Sequence, residues 1–507
     1  MAAVLLHEVL EAAARRAPDT VALVTDAGAQ TFVELAAQVA RVAAGITAVT
    51  EPGDRVAILA ENRAEYVECY YAVPKAGRLL VPLNQRLHPD EWMGALTRSG
   101  TRVLITEPEL LACLDLEALR SVGVDTIVRL GGDEYPVADF SEAPSVAMPA
   151  GAAGDPVWLI GTSGTTGTPK LAMLTHASLL AAVDATLFAR PVRDDDVFCT
   201  PFPLCHVAGY NVLGLHHMAR PVVLMRKFDP AHLVELITEH GVTLLSLAPT
   251  MIAMLLDDPR TDDAVLRSVR SIGYGASAIP APVLRAAVER WDCDLSQGYG
   301  MTELSGNAAF LGPDAHRRAA AGDARLLAGA GYPSPGVELR LRETTQEILV
   351  RAPQVTMGYW HDPDATAAAI ADGWLHTGDV GRIDDDGLLT VVDRTKDVIV
   401  SGGENVASRE VEAVLHQHPA VADVAVIGLP DERWGERVTA VVVLRDGHAV
   451  QAEELVTLAR AHLGGFKTPR VIEFVDELPR NAAGKLLKAQ MRETFGDEAR
   501  HGDPAVE

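Results

Sequence analysis

Basic residues are scarce in this sequence: 44 Lys and Arg stand against 69 Asp and Glu, a formal net charge of −25. That excess opposes attraction to phosphate backbones and anionic membrane surfaces, so nucleic acid is excluded as an expected partner. Cysteine is scarcer still, with five in 507 residues. Cys69, Cys113, Cys199, Cys205 and Cys293 are far apart and form no Cys-x-x-Cys pair, which argues against a disulfide frame or zinc site and for reduced thiols. No apolar run approaches the roughly 20 residues of a membrane span. The first residues lack the basic flank of a signal peptide, and Glu8 and Glu11 interrupt them. Neither a fixed repeat period nor a low-complexity segment occurs. The expectation is a cytoplasmic monomer or homodimer without integral membrane association. Its composition, 48% hydrophobic and 22% charged, is that of a packed body of two or more domains.

The first half alternates helical periodicity with short β-branched runs, the pattern of βα units and a mostly parallel sheet. Residues 31–48 read as a capped amphipathic helix, 55–59 as a buried strand, 64–76 as a helix and 79–84 as a strand. Further strands are predicted at 101–106, 157–160, 221–225 and 242–247. From about Gly331 short strands separated by Gly and Asp turns suggest a β-rich subdomain, at 337–341, 346–350 and 387–392. After Asp393 a self-contained α+β unit follows, with helices over 408–417 and 452–463 and strands over 421–427, 437–444 and 471–475. The expected fold is therefore α/β: a large N-terminal domain of stacked sheets plus a β-rich subdomain over 1–393, and a small α+β domain over 394–507.

Gly161-Thr-Ser-Gly-Thr-Thr-Gly-Thr-Pro-Lys170 directly follows a predicted strand. Small residues let backbone N–H groups and hydroxyls wrap a polyphosphate while the lysine cancels charge. Pro169 before Lys170 biases Thr168 away from helical geometry, so this is not a Walker A loop. Tyr299-Gly-Met-Thr-Glu303 places an aromatic face, a hydroxyl and a carboxylate beside Gly298 and Gly300, and taken alone it equally reads as a solvated turn. Asp379, after Thr377 and Gly378, is by residue type as readily a turn cap as a ligand. Lys485 in Pro479-Arg-Asn-Ala-Ala-Gly-Lys485 is by itself a solvated loop charge. His206, amid Phe202-Pro-Leu-Cys-His-Val-Ala-Gly209, reads as a satisfied core histidine. Cys205 beside it has no basic partner in the sequence and no nucleophile role is assigned to it.

Taken together and in this order, these motifs resemble the signatures of the adenylate-forming superfamily: acyl-CoA synthetases, adenylation domains and firefly luciferase. Asp393-Arg-Thr-Lys-Asp-Val-Ile-Val-Ser-Gly-Gly-Glu-Asn405 belongs to the same series, and the likeness runs from about Gln30 to Lys488. The resemblance implies an enzyme that activates a carboxylic acid with ATP and Mg²⁺ as acyl-AMP and then passes the acyl group to CoA. It implies nucleotide contacts from Thr162, Ser163, Gly164, Thr165, Thr166, Gly167 and Lys170. Gly275, Ala276 and Ser277 would line adenine opposite a stacking Tyr299. Thr302 would touch the α-phosphate, Glu303 would hold Mg²⁺, and Asp379 and Arg394 would hold the ribose. Lys485 becomes the catalytic lysine, Lys396 the hinge of a mobile small domain, and His206 a gate between acid and thiol. The acyl pocket would draw on Val207, Tyr210, Asn211, Gly298, Gly300, Met301 and residues 305–308. CoA would meet Ser401, Gly402, Gly403, Glu404, Trp434 and Phe466, with Lys467 and Arg470 beside them.

One departure stands out. The superfamily's phosphate loop usually continues Lys-Gly, whereas Leu171 follows Lys170 here, and a displaced loop exit is expected. The nearest likeness is to bacterial fatty-acyl-CoA synthetases, so a medium or long-chain acid is expected. The mixed polarity of the pocket residues keeps an aryl acid open. An amine or carrier-protein acceptor is the other alternative to CoA, and the short stretch after the last motif favours free CoA.

Overall fold

The computed structural model describes residues 5–131, 151–162, 170–275, 279–291, 293–401, 404–431, 433–480 and 486–498. The chain divides into two compact units. The first comprises Met1–Leu339, Val350–His376 and Asp384–Leu389; the second comprises Arg340–Leu349, Thr377–Ile383 and Thr390–Glu507. The second unit thus also takes two segments from before Asp393.

The first unit is built on two sheets, as the alternating pattern predicts. A six-stranded sheet runs in the order Thr126–Arg129, Thr101–Thr106, Arg55–Leu59, Leu79–Leu83, Pro156–Thr162, Lys170–Thr175. All its pairings are parallel except the last. A nine-stranded sheet has at its centre Asp294–Met301, Ser271–Gly275, Leu244–Leu247 and Phe198–Thr200, paired in parallel. In the strand Arg55–Leu59 the run Val56, Ala57, Ile58 and Leu59 is unbroken and sealed from solvent because both faces are covered.

The helix Phe32–Val49 begins at Thr31, whose side chain accepts from the Glu34 amide while Glu34 accepts from the Thr31 amide, a reciprocal cap. It is the one helix among the described residues long and apolar enough to cross a bilayer by length and composition. Its Phe32, Leu35, Val39, Val42 and Ile46 are buried in the core of this unit.

Two histidines pin this unit through neutral rings. His216 is sealed between the Tyr71 hydroxyl (2.8 Å) and the Ala22 carbonyl (3.0 Å). His316 lies between the Tyr274 hydroxyl (2.8 Å) and the Gly312 carbonyl (2.8 Å). In each, the nitrogen facing a carbonyl must donate, so the other accepts from the tyrosine and the ring is complete without a charge. Burial pushes both rings from 6.5 down to about 4. Between those values the unfolded chain binds more protons than the folded one, so stability is full above about pH 6.5 and falls as pH drops toward 4. The thermal midpoint is expected to decline through that window, and His216→Gln should flatten the slope. An unchanged slope in this variant would assign the acid lability to other groups.

In the second unit, the strands Glu404–Val406, Ile399–Ser401, Gly435–Leu444 and Val421–Asp431 form a sheet in that order, and Val471–Phe474 pairs with Gly435–Leu444. Ile399, Val411, Leu415, Val426, Val438 and Leu455 lie in its core. The helix Ser408–Leu415 is held at its start by Asp393, which accepts from the Ser408 amide (2.5 Å) and hydroxyl (2.8 Å).

Candidate active site

In the first unit the two ends of the glycine-rich segment lie side by side. Thr162 and Lys170 are directly paired across antiparallel strands; Ser163, Gly164, Thr165, Thr166 and Gly167 lie outside the described residues. The Lys170 ammonium sits 5.0 Å from the centre of the Tyr359 ring, a cation–π contact. The Tyr359 hydroxyl donates to the Glu303 carboxylate at 2.9 Å. Burial and that carboxylate push the Tyr359 hydroxyl's pKa up, so it stays a donor. Lys170, Tyr359 and Glu303 thus form one polar cluster. Tyr359 is a residue that sequence reasoning did not find, since it stands in no motif and meets Glu303 only across 56 positions of chain.

Leu171 occupies an ordinary strand position. It is paired opposite Gly161 in a regular ladder, buried against Leu159 and Trp360, and its carbonyl accepts from the Trp360 amide at 2.8 Å. An extended strand position asks for no glycine, and a leucine there adds to the core.

Tyr299 lies on the strand Asp294–Met301, beside the strand Ser271–Gly275, with Gly275 opposite Gly298. The segment is therefore a strand rather than a solvated turn. Ala276 and Ser277 lie outside the described residues. Thr302 and Glu303 occupy the tight turn Thr302–Leu304, which ends in the left-handed Ser305 (φ 52°), whose hydroxyl donates to that of Ser178 at 2.9 Å. The Glu303 carbonyl accepts from the Thr356 amide at 2.8 Å, so the turn carrying the carboxylate is tied at its backbone.

His206 precedes the short turn Val207–Gly209 that opens into the helix Tyr210–His217. Burial, and secondarily the nearby charge of Arg86, lowers its pKa to about 4, so it is a neutral imidazole at physiological pH. Cys205 is likewise shielded, its thiol pushed up to about 12 by burial, which leaves it inert. A small cleft, with about 30 Å³ of free internal volume, opens beside this helix. Tyr210 and Asn211 line it, together with Val183, Leu187, Phe198 and Arg190. Val207, Gly298, Gly300 and Met301 do not line it. Gly298 lies one step away, since the Tyr210 hydroxyl accepts from the Asn307 amide (3.1 Å) and that amide packs directly over Gly298.

In the second unit, Asp379 is buried and its carboxylate meets the Arg394 guanidinium at 2.6 Å. The turn expected around Asp379 is instead the strand Trp374–Ile383. Gly378, at φ +69°, supplies the kink that the Thr-Gly-Asp composition resembles. The Gly378 amide donates to Glu347 at 3.0 Å and that of Asp379 to the Thr377 hydroxyl at 3.1 Å. Lys396 lies in the turn after Arg394, where the amides of Asp397 and Val398 both donate to the Arg394 carbonyl. Arg492 clamps this turn, donating to the Lys396 carbonyl (3.3 Å) and the Asp397 carboxylate (2.8 Å). Ser401 is opposite Glu404 across a two-stranded ladder; Gly402 and Gly403 lie outside the described residues, as does Lys485. The ends of the segment carrying Lys485 are joined by a bridge between Arg480 and Leu486. The Trp434 ring has the Arg470 guanidinium 4.1 Å and that of Arg433 5.1 Å from its centre. Phe466 is partly exposed beside Lys467, which is paired to Glu410 at 2.7 Å.

Among the described residues no three His, Cys, Asp or Glu converge as a metal cage. The lone Glu303 carboxylate within the Lys170 cluster suits Mg²⁺, which takes one or two carboxylates and completes its shell from phosphates and water.

Residues 10–360 match the family model described as AMP-binding enzyme, and 410–485 match the AMP-binding enzyme C-terminal domain. The chain is 38% identical over 494 residues to a feruloyl-CoA synthase of Amycolatopsis sp., covering 95% of this chain and 97% of the relative. It is 35% identical over 505 residues to the fatty acid–[acyl-carrier-protein] ligase ScoC of Streptomyces coeruleorubidus, covering 96% of each. Among solved structures, o-succinylbenzoate CoA synthetase (MenE) from Bacillus subtilis, in complex with its acyl-adenylate intermediate, aligns with a TM-score of 0.84 at 31% identity, over 96% of this chain and 97% of that one. The chain belongs to the AMP-binding enzyme family. It is an AMP-forming acid–CoA ligase, working with ATP, Mg²⁺ and CoA.

Proposed function

We propose that this ligase activates an aryl carboxylic acid. The observation that carries the reading is the cleft beside Tyr210: it is bounded by Phe198, Leu215 and Leu244 but carries Arg190, Asn211 and Ser271 in the same wall. A long alkyl chain calls for a wholly apolar tube, whereas a ring bearing polar substituents fits a mixed wall. The 38% identity to a feruloyl-CoA synthase supports the same choice.

In the first step an oxygen of the substrate carboxylate attacks the α-phosphorus of ATP. A P–O bond to that phosphorus breaks, and pyrophosphate leaves with its electron pair. Thr162 and Lys170, with the segment between them, hold the phosphates, Tyr299 stacks on adenine, Thr302 contacts the α-phosphate, and Asp379 and Arg394 hold the ribose. Mg²⁺, when bound through Glu303, neutralises phosphate charge. Lys485 offers its charge where the negative charge of the transition state develops, which is electrostatic preorganisation and not proton transfer. In the second step the CoA thiolate attacks the acyl carbon, the C–O bond to AMP breaks, and AMP leaves. Neutral His206 fits a gate, since it presents no charge to the passing thiol. Ser401 to Glu404 line the pantetheine path, and Trp434 with Arg433 and Arg470 offers a stacking face flanked by cations for the CoA nucleotide. Lys396, in the turn clamped by Arg492, is the hinge between the two steps.

The test is product identification by mass spectrometry after incubation with ATP, Mg²⁺ and a panel of aryl and alkyl acids, with and without CoA. The expected products are aryl-CoA, AMP and pyrophosphate. Thioesters from alkyl acids alone would overturn the aryl assignment. AMP and pyrophosphate without any thioester would move the acceptor to an amine or carrier protein.

A further inference from the structure

The cleft wall contains a cation that the adenylation chemistry does not use. Arg190 follows the helix His176–Ala189, and its side chain turns inward beside the strands Leu244–Leu247 and Ser271–Gly275. One terminal nitrogen donates to the Leu245 carbonyl at 3.0 Å, and the other reaches the Ser246 hydroxyl at 3.4 Å. A guanidinium has five N–H donors, so most remain unused, and its Nε is sealed from solvent without a partner. Arg270, in the same wall, is neutralised by Asp196. Arg190 has no ion pair among the described residues, and burial pushes it down to about 10, still charged at neutral pH. Space is kept for it by Gly273, where a Cβ would overlap the guanidinium and stand 3.0 Å from Nε.

A charge withdrawn from water without a counter-ion is costly, and an anion entering the cleft removes that cost. The location fits a substrate's far end. Gly273 is two residues from Gly275 along one strand, a rise of about 7 Å, and Ser271 is four residues away, about 13 Å. Gly275 stands opposite Gly298, next to Tyr299. Tyr210, in the cleft wall, is joined to Asn307, whose amide packs over Gly298. An acid whose reacting carboxylate lies by the Gly298–Glu303 segment would therefore bring a group about 7–13 Å away to Arg190.

We infer that Arg190 receives a second carboxylate at the distal end of the substrate, so that this enzyme selects dicarboxylic acids. The inference rests on the aryl-acid ligase reading above and adds its substrate class. Arg190 is a specificity residue and takes no part in the adenylation step.

The experiment compares 4-carboxycinnamate, 4-acetylcinnamate and 4-methylcinnamate as substrates of the wild type, Arg190→Met and Arg190→Lys, measuring acyl-CoA formation and, separately, binding of each acid by calorimetry. The wild type should prefer the carboxy acid over the methyl acid by about tenfold or more in kcat/KM, chiefly through KM, as expected when one charged hydrogen bond is gained. Arg190→Met should bring the two acids within about twofold, with the carboxy acid losing most, and Arg190→Lys should restore part of the preference. Equal use of the methyl and carboxy acids by the wild type would overturn the inference. An equal loss on both acids in Arg190→Met would reduce Arg190 to a structural tie and overturn it too. An acetyl acid as good as the carboxy acid would assign a neutral acceptor and overturn the dicarboxylate. Should Arg190→Met not fold, the wild-type ratio decides. Should no cinnamate be turned over, calorimetry decides: tighter binding of the carboxy acid sustains the inference, and no difference ends it. Failure of the ligase reading is visible separately, as AMP release without acyl-CoA for every acid.

Discussion

Replacing Lys485 with alanine is expected to slow adenylate formation by about 10²–10³-fold, the usual loss when one preorganised donor to a developing charge is removed. The attack on the α-phosphate concentrates negative charge on its oxygens, and little beyond in-line placement and charge cancellation separates reactants from acyl-AMP. The proposed function gives that cancellation to Lys485. Arg480, before it in sequence, bridges to Leu486 and is ion-paired with Asp423 at 2.6 Å. The same variant, supplied with preformed acyl-AMP and CoA, should form thioester within about twofold of the wild-type rate, because that step breaks a C–O bond and needs no cation at phosphorus. Pyrophosphate exchange measures the first half-reaction and thioester formation the second. An equal loss in both would remove Lys485 from this role.

Gly300→Ala should be almost as damaging for a wholly different reason. Gly300 pairs with Asn307 where the ladder between Asp294–Met301 and Gly306–Leu311 is irregular. A Cβ at Gly300 would overlap the carbonyl of Gly306 and come within 2.6 Å of the Asn307 Cα. Both obstacles are backbone, which cannot swing aside as a side chain can. Relief would require the two strands to part, at about 1–3 kcal/mol or more. It would also shift Thr302 and Glu303 on one side and the Asn307–Tyr210 contact on the other. A loss of at least about 100-fold in kcat/KM is expected, since displacements of about 1 Å at reacting groups cost that much, together with a lower thermal midpoint. Gly154→Ala is the matched control: a Cβ there meets nothing within 4 Å, and both activity and midpoint should stay near wild type. If Gly300→Ala behaved like Gly154→Ala, the ladder would have to be looser than its contacts indicate.

Local pattern made much of this molecule readable in advance. The helix at 31–48 announced itself by its cap and its apolar period, and the structure extends it only to Val49. The strands at 55–59 and 101–106 match Arg55–Leu59 and Thr101–Thr106, since buried parallel strands leave unbroken apolar runs between turn residues. Asp379 was misleading for a local reason, because Thr-Gly-Asp carries turn chemistry while Gly378 spends its positive φ inside a strand. Tyr359, Arg190 and Arg492 left no trace in the sequence. Their partners Glu303, Leu245 and Asp397 are 56, 55 and 95 residues away, and an isolated Tyr or Arg has no spacing rule to mark it. The Leu171 departure looked like a defect only while its strand partner was unknown.

The packing of Gly273 against Arg190 also constrains how this pocket can change over generations. While the arginine holds its present conformation, a Cβ at 273 overlaps its guanidinium, so a larger residue there requires the arginine to swing aside and give up Leu245 and Ser246. Once the arginine is exchanged for something shorter, position 273 can fill the vacated space. A lineage moving toward apolar acids therefore reaches a smaller cleft most directly by losing the cation first.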